Sequence, residues 1–268
     1  MQYKLLASDF DNTLVPFGEP CPRPAVVKAV KKMQAAGGKF VLSTGRGYCV
    51  INKQQLGGIR FDYAITNNGA CVVDRDGAII AEHPMTNEEM YALVDFCEDY
   101  NYPLQFNFRD GYYAYCEYES LRDFYAQLSG SGLTCKDGED QDRHLLDMPF
   151  SAFGMLAAED IAKFQAKYGY LGLQFLPYHV TGCDILRAGQ DKATGLQALL
   201  DHLGLAAADC VAVGDGPNDA GMLALAGRSY CMADGMKTAK AAAKALAPAA
   251  APDGIAQLCR SLWPEIFR

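Results

Sequence analysis

LLASDFDNTL, at residues 5–14, places the carboxyl groups of Asp9 and Asp11 directly after a short apolar run. An apolar run of this kind is typical of a buried strand, so both carboxylates are expected at the strand's carboxyl end. An aspartate leaving such a strand can attack phosphorus, and a second one two residues further on can serve the same substrate as a proton donor. The stretch therefore predicts phosphoryl transfer, although pairs of acidic residues also occur as solvated turn residues.

Composition narrows the class of protein. The chain has 268 residues, 50% of them hydrophobic and 21% charged, which is typical of a globular enzyme of one or two domains. A formal net charge of -8 argues against nucleic acid and anionic membranes as partners, because both favour Lys and Arg.

Ten scattered cysteines without a Cys-x-x-Cys pair indicate reduced thiols. With no leader and no membrane-spanning apolar run, we expect a cytoplasmic protein.

Periodicity predicts the organisation of both ends of the chain. Pro24 opens an apolar helical pattern that a strand at residues 39–43 follows, which is the crossover unit of a parallel sheet. The same alternation of helices and strands is predicted near the carboxyl end. There Asp191 can cap a helix, which is followed by a strand at residues 210–214 and a short helix at residues 218–225. The sequence therefore predicts an α/β fold with a parallel sheet as its core.

The rhythm changes in the middle of the chain. A turn at residues 74–77 predicts a hairpin, and residues 86–89 form a capping box before a helix. Strands are then predicted at residues 104–108, 112–117, 151–157 and 171–178. Helices are predicted between them, one around Leu121, Phe124, Tyr125 and Leu128 and one around Ile161. This order predicts an inserted α+β domain. We expect a core of residues 1–83 and 185–268 and an insertion of residues 84–184.

Two polar or low-complexity segments are predicted to lie outside any binding site. Residues 136–147 are acidic and are predicted as a surface loop; an EF-hand is excluded because Met148 occupies its twelfth position. The Ala-rich residues 238–251 predict a surface helix and connector.

Distant features converge if strands at residues 3–8, 39–43 and 210–214 are neighbours in one parallel sheet. These features are Asp9, Thr44, Lys192 and the loop of residues 214–219. Beyond the carboxyl ends of such strands they would share one crevice, the usual place for a ligand in an open α/β sheet.

The acidic residues of this crevice predict a bound cation. Asp9, Asp11, Asp215 and Asp219 would raise one another's pKa values unless a positive ion neutralised them. Oxygen-only ligands beside a phosphate substrate favour Mg²⁺. We expect Asp215 to bind the ion directly and Asp219 to hold metal-bound water or Lys192.

A two-step mechanism follows from these residue types. Asp9 attacks phosphorus in line, Lys192 neutralises charge on the transferring group, and Thr44 binds its oxygens together with nearby backbone N–H groups. Asp11 first donates a proton to the leaving alcohol and then accepts one from the water that hydrolyses the aspartyl-phosphate.

Each feature also has a purely structural interpretation. Residues 44–46 could form an ordinary turn after a strand, and Lys192 could be a solvated lysine at a helix start. The glycines of residues 214–219 suggest a dinucleotide fingerprint only superficially, because Asp219 stands where its third glycine is required.

Taken together, the motifs resemble those of the haloacid dehalogenase (HAD) superfamily of phosphohydrolases. The resemblance is carried by DFDNT at residues 9–13, Thr44, Lys192 and GDGPND at residues 214–219. STGR at residues 43–46 and NGA at residues 68–70 are similar to the Cof-type branch, which has a large α/β (C2B-type) cap between the Thr and Lys motifs. The resemblance spans essentially the whole chain.

The resemblance implies a Rossmann-like core, a cap that sets specificity, and Mg²⁺ held by Asp9, the backbone carbonyl of Asp11 and Asp215. It implies hydrolysis of small phosphorylated metabolites, most commonly sugar phosphates, and we expect a monomer or homodimer. The expected phosphate- and substrate-binding residues are Thr44, Gly45, Arg46, Asn68, Lys192 and Asn218, and the expected metal site comprises Asp9, Asp11, Asp215 and Asp219. Further candidates for contact with the leaving group are Arg109, Tyr113, His179 and Arg187.

Two other functions remain open from the sequence. A sugar phosphomutase would use the same nucleophile but pass the phosphoryl group to another hydroxyl. A catalytically silent module would bind phosphorylated metabolites without cleaving them, although clustered acidic groups with neither metal nor reaction cost stability.

Overall fold

The computed structural model describes residues 3–127, 134–179 and 182–268. The chain divides into two compact units. Unit 1 comprises Met1–Arg46, Ile51–Ala81 and Asp191–Arg268, and unit 2 comprises Gly47–Val50 and Glu82–Gln190.

The described residues form fourteen strands and eight α-helices. The strands are β1 (Leu5–Asp9), β2 (Lys39–Ser43), β3 (Tyr63–Thr66), β4 (Cys71–Asp74), β5 (Ile79–Glu82), β6 (Leu104–Asn107), β7 (Tyr112–Cys116), β8 (Lys136–Asp137), β9 (Ser151–Gly154), β10 (Gln174–His179), β11 (Gly182–Leu186), β12 (Cys210–Gly214), β13 (Arg228–Met232) and β14 (Ala245–Ala247). The helices are α1 (Pro24–Ala35), α2 (Asn87–Tyr100), α3 (Tyr118–Gln127), α4 (Ala158–Tyr168), α5 (Lys192–Leu203), α6 (Ala220–Leu225), α7 (Lys237–Ala242) and α8 (Gly254–Leu262).

A largely parallel sheet forms the centre of unit 1. Its strand order is β14-β13-β12-β1-β2-β3-β4-β5. Neighbours from β14 to β3 run parallel, and β4 returns antiparallel to β3. Every residue of β1 and β12 is buried, as expected for central strands of a parallel sheet covered on both faces. The predicted α/β fold, and the predicted strands at residues 39–43 and 210–214, are confirmed.

The helices of unit 1 follow from apolar spacing and from their end residues. Pro24 is the first residue of α1, where its missing N–H costs nothing, and buried Val26, Val30 and Met33 form the apolar face of the helix. Leu196, Leu199 and Leu200 of α5 pack against apolar side chains of the sheet. One face of each helix is thereby removed from water.

Unit 2 contains a second sheet, with strand order β10-β11-β9-β6-β7-β8. Its neighbouring strands run antiparallel, except β7 and β8, which run parallel. Apolar side chains of α2 and α4 pack against this sheet. The predicted capping box is present, since Thr86 Oγ1 accepts from the Glu89 N–H at 3.2 Å and Glu89 Oε2 accepts from the Thr86 N–H at 2.7 Å. The α+β character of the middle segment is confirmed.

The loop predicted at residues 136–147 is present, since most of this segment lacks regular secondary structure. It begins with β8 and contains a 3₁₀ turn at Arg143–Leu145. The Arg143 guanidinium binds the carboxylates of Asp110 at 2.7 Å and Asp147 at 3.2 Å. These ion pairs bring order to a segment whose composition alone favours a loop.

Besides β8, two further strands were not predicted. β14 interrupts the Ala-rich segment because Ala245 and Ala247 pair with β13 at the sheet edge. β11 follows β10 closely, and its buried Cys183 and Ile185 alternate with the partly exposed Asp184. Neither run is rich in β-branched or aromatic residues, so the usual strand signal is weak in both.

Some predicted features fall outside the described residues, namely Leu128 of the second predicted helix and the side chain of His179. Among the helices that the structure describes, none has the length and apolarity needed to cross a bilayer.

The cap of α5 should contribute measurably to stability. Asp191 Oδ1 accepts from the Thr194 N–H at 2.8 Å immediately ahead of Lys192. Asp191→Ala should lower the free energy of unfolding by about 1 kcal/mol, because it leaves a helix N–H unpaired. Asp201→Ala near the exposed end of the same helix is the control. Equal midpoints in urea denaturation of the two variants would contradict this expectation.

Candidate active site

A tight turn follows β1 directly. Asp9 ends the strand, and Asn12 has a φ of 58°, a left-handed conformation that asparagine tolerates better than most residues. The Leu14 N–H donates to the Asp9 carbonyl oxygen at 3.3 Å, and the Val15 N–H donates to that of Phe10 at 2.9 Å. This tight turn fixes both acidic residues of the DFDNT segment at the carboxyl end of the sheet.

A buried lysine joins two carboxylates from distant parts of the chain. Lys192, the first residue of α5, is 0% exposed. Its Nζ lies 2.6 Å from Asp9 Oδ1 and 2.7 Å from Asp219 Oδ1. A buried ammonium group is costly unless it is paired, so these two carboxylates provide the compensation that permits Lys192 to remain charged.

The loop after β12 holds Asp219 in place. Asp219 Oδ2 accepts the N–H groups of Asp215 and Gly216, each at 2.9 Å. A Cβ atom on Gly214 would lie 2.4 Å from the Asp219 carboxyl carbon, so only glycine fits at this position. Both Asp219 oxygens are thus engaged within the protein.

Three carboxylates form a cluster that could hold a metal ion. One oxygen each from Asp9, Asp215 and Asp219 lies within 4.8 Å of the others. Thr13 Oγ1 donates to Asp215 Oδ1 at 3.1 Å and orients that side chain. The all-oxygen donor set fits a hard divalent cation such as Mg²⁺. Because Asp219 is bound to Lys192 and the loop, Asp9 and Asp215 are the side chains best placed as ligands.

Burial, together with the neighbouring charges, shifts the pKa values of the cluster and of Lys192. Burial first, and then the neighbouring Asp219, raise the pKa of Asp215 to about 6. Burial and the carboxylates of Asp219 and Asp215 raise the pKa of Asp9 well above its ordinary range, against the opposing effect of Lys192. Burial lowers the pKa of Lys192, but Asp219 and Asp9 outweigh it and raise that pKa overall.

In the part of the chain that the structure describes, Asp11 does not belong to this carboxylate cluster. It forms an ion pair with Arg46 instead. Arg46 Nη2 donates to Asp11 Oδ1 at 2.8 Å, and Arg46 Nε donates to Asp11 Oδ2 at 3.0 Å. Of the four residues predicted to form the metal site, Asp9, Asp215 and Asp219 therefore lie together, whereas the side chain of Asp11 is bound by the Arg46 guanidinium.

The loop after β2 carries the predicted phosphate-binding residues. Thr44 is buried, and its Oγ1 accepts the Arg46 N–H at 3.1 Å, so the hydroxyl can still donate its proton to a substrate oxygen. Gly45 lies between these two residues. The Thr44 carbonyl oxygen accepts the Asn68 N–H at 3.1 Å, and Asn218 Nδ2 donates to Asn68 Oδ1 at 2.9 Å.

A close backbone approach explains the glycine that follows Asn68. Gly69 has a φ of 103°, and a Cβ atom there would lie 1.9 Å from the Asp191 carbonyl oxygen. The loop after β3 and the start of α5 can meet only at glycine. Asn218 and Asn68 thus belong to one hydrogen-bonded group near the helix that begins with Lys192.

The predicted cap candidates have partners within unit 2. Arg109 pairs with Glu82 at 3.0 Å, and Arg187 pairs with Glu89 at 2.9 Å. The Tyr113 hydroxyl donates to Asp110 at 2.7 Å. Their contact with a leaving group stays a prediction.

The sequence predicts no role for Thr13. Its position two residues after Asp11 gives no sign of its hydrogen bond to Asp215.

Comparison with known proteins decides the family. The family described as haloacid dehalogenase-like hydrolase matches residues 6–258. The chain belongs to this family. The predicted resemblance is thereby confirmed, together with the predicted enzyme class, a phosphoric monoester hydrolase of the HAD superfamily.

Relatives of this HAD hydrolase match over most of their length. It is 28% identical over 250 residues to an HMP-PP phosphatase of Yersinia pseudotuberculosis serotype I (strain IP32953), covering 89% of this chain and 86% of the relative. It is 27% identical over 267 residues to 5-amino-6-(5-phospho-D-ribitylamino)uracil phosphatase YbjI of Escherichia coli (strain K12), covering 91% and 90%.

A solved structure shares the fold of the HAD hydrolase. The HAD subclass IIB sugar phosphatase BT4131 superposes with a TM-score of 0.82 at 22% identity, covering 97% of this chain and 98% of that one. At this level of identity the likeness shows the fold alone.

Removing the charge of Asp219 should destabilise the HAD hydrolase. In Asp219→Asn, the amide cannot accept both loop N–H groups and pair with Lys192 as a carboxylate does. We expect the free energy of unfolding to fall by roughly 3 kcal/mol, the usual cost of breaking a buried ion pair. Urea denaturation measures this change, with exposed Asp76→Asn as the matched control. A loss no larger than that of the control would contradict the assigned contacts.

The raised pKa of Asp215 predicts how stability depends on pH. Without a divalent cation, the folded state binds a proton at Asp215 up to about pH 6, whereas the unfolded state releases it near pH 4. Asp215 therefore destabilises the fold increasingly as pH rises through this window. In EDTA, Asp215→Asn should gain stability relative to wild type between about pH 4 and pH 7, and Mg²⁺ should reduce the gain. A pH-independent difference would contradict the assignment.

Proposed function

We propose that this HAD hydrolase removes phosphate from small phosphorylated metabolites, sugar phosphates above all, through an aspartyl-phosphate on Asp9. The single observation that carries the proposal is the buried contact of Lys192 with Asp9 and Asp219, with Asp215 alongside. A carboxylate beside a fixed ammonium and a cation site is suited to attack an anionic phosphate, which an acidic protein would otherwise repel.

Each residue has a proposed role in two half-reactions. In the first, an Asp9 oxygen forms a bond to phosphorus as the bond from phosphorus to the leaving oxygen breaks, and Asp11 gives the leaving alcohol its proton. In the second, water replaces Asp9 on phosphorus and Asp11 accepts the water's proton. Lys192 neutralises charge on the phosphoryl group, and the Thr44 hydroxyl donates to one of its oxygens.

Mg²⁺ is the proposed cofactor. Asp9, Asp215 and the backbone carbonyl of Asp11 would hold it, and Asp219 would serve by positioning Lys192. When bound, the ion would neutralise negative charge on the phosphoryl group. The carboxylate cluster supports this proposal because its donor atoms suit a hard cation. We further propose that Asn68, Asn218, Gly45 and Arg46 lie within or beside the substrate-binding site.

The substrate class is proposed from the relatives. One relative is named for a phosphorylated ribitylamino compound and one structural neighbour is named a sugar phosphatase, so both names combine a phosphate with a polyhydroxylated carbon chain. We propose that residues 84–184 act as a cap that selects the leaving group, and that residues 1–83 and 185–268 carry the chemistry. The proposed setting is the cytoplasm, where the ten free cysteines would stay reduced.

Substitution of the nucleophile tests the proposal. Asp9→Asn should reduce turnover of p-nitrophenyl phosphate with Mg²⁺ by at least about 1000-fold, because an amide cannot form the intermediate. Asp76→Asn is the control and should retain wild-type turnover. Undiminished turnover in Asp9→Asn would contradict the proposed nucleophile.

A panel of phosphorylated metabolites tests the reaction type. We expect free phosphate as the product, in step with loss of substrate. Transfer of the phosphoryl group to a second hydroxyl would instead indicate a phosphomutase. Tight binding of sugar phosphates without cleavage in the presence of Mg²⁺ would indicate a binding module.

A further inference from the structure

We propose that Arg46 is the positioning residue for Asp11, holding its carboxylate for the step in which water hydrolyses the aspartyl-phosphate. This inference rests on the proposed function and assigns Arg46 a role in that site different from direct substrate binding. In this step the water oxygen bonds to phosphorus, the bond from phosphorus to the Asp9 oxygen breaks, and the proton of the water passes to Asp11.

The geometry of the pair is that of a two-point clamp. Arg46 Nη2 and Nε each donate to a different Asp11 oxygen, at 2.8 and 3.0 Å. Parallel hydrogen bonds of this kind fix the plane of a carboxylate as well as its position. A single hydrogen bond from an ammonium group, by contrast, fixes the position of only one carboxylate oxygen.

The Asp11 side chain has few other constraints. It is 52% exposed, and Asp11 is absent from the carboxylate cluster of the described residues. An exposed ion pair adds at most about 1 kcal/mol to stability, so the fold does not depend on this one. The pair instead determines which of several accessible orientations the Asp11 carboxylate adopts.

Arg46 is itself held on three sides. Its side chain is only 14% exposed, and its guanidinium lies over the Phe10 ring at 5.0 Å from the centroid. Its backbone N–H donates to Thr44 Oγ1 at 3.1 Å, and its carbonyl oxygen accepts the Asn67 N–H at 3.0 Å. The Phe10 ring therefore supports the guanidinium in addition to Asp11, and the proposed phosphate-binding residue Thr44 belongs to the same loop.

The clamp suits the second half-reaction. Each Asp11 oxygen that accepts a hydrogen bond from Arg46 can accept a further one. Asp11 can therefore accept the proton of water while Arg46 holds it. Loss of the clamp should slow hydrolysis of the intermediate and leave its formation from an activated ester, whose leaving group departs without a proton, nearly unchanged.

Kinetics with p-nitrophenyl phosphate and Mg²⁺ separate these steps. In Arg46→Gln, kcat should fall at least about tenfold and KM should fall with it, so that kcat/KM stays within about threefold of wild type. Rapid mixing should show a burst of nitrophenolate, because the intermediate accumulates. Arg46→Lys, which keeps the charge and one hydrogen bond, should recover part of kcat.

A double-mutant cycle tests whether Arg46 acts through Asp11. Asp11→Asn alone should show the same burst, and Arg46→Gln added to it should lower kcat by less than about twofold more. Arg75→Gln is the matched control, because its guanidinium also pairs with an aspartate, Asp62, within unit 1. This control should match wild type, and thermal unfolding of each variant confirms folding.

Other outcomes would overturn the inference. A drop in kcat/KM with unchanged kcat in Arg46→Gln would make Arg46 a substrate-binding residue, as would an equal effect in the Asp11→Asn background. If Arg46→Gln does not fold, wild-type kinetics in Arg46→Lys without a burst would likewise overturn it. Absence of turnover in wild type would instead contradict the proposed function, so the two failures are distinguishable.

Discussion

The site depends on one buried ammonium group. Lys192 is removed from water, and its charge is compensated by two carboxylates, Asp9 and Asp219, that come from distant segments of unit 1. Breaking such a contact by removing one partner leaves an uncompensated charge, which typically costs several kcal/mol. The same contact that stabilises the fold therefore sets the position of the proposed nucleophile, and a substitution at Asp219 affects both stability and activity.

Sheet order makes this contact possible. β1 lies between β2 and β12, so the residues that follow the three strands meet at one edge although they are far apart in sequence. The helix that begins with Lys192 reaches this edge because Gly69 permits the close approach of its capping residue, Asp191. In the same way, the absence of a side chain at Gly214 leaves room for the Asp219 carboxylate. Glycines at these two positions are therefore requirements of the site as well as of the backbone.

Sequence patterns predicted the core of the fold because its strands are short, apolar and bounded by clear turns. β2 and β12 begin and end where predicted. β11, β14 and the ordered segment around Arg143 could not be predicted, because pairing partners and ion pairs distant in sequence stabilise them. For the site, residue types and spacing indicated which groups converge and offered Lys192 as one partner of Asp219, a contact that is present at 2.7 Å. The spacing assigned the Asp11 side chain to proton transfer, but its partner Arg46 lies 35 residues further along the chain, and no local pattern indicates that pair.

The most direct test of the account is to identify the residue that carries the phosphoryl group during turnover. The protein would be mixed rapidly with a phosphorylated substrate and Mg²⁺, quenched in acid, digested and analysed by mass spectrometry. If Asp9 is the nucleophile, a transient phosphoryl group is expected on the peptide that contains Asp9, at the side chain of that residue. Turnover without any phosphorylated peptide, or with the group on another residue, would contradict it.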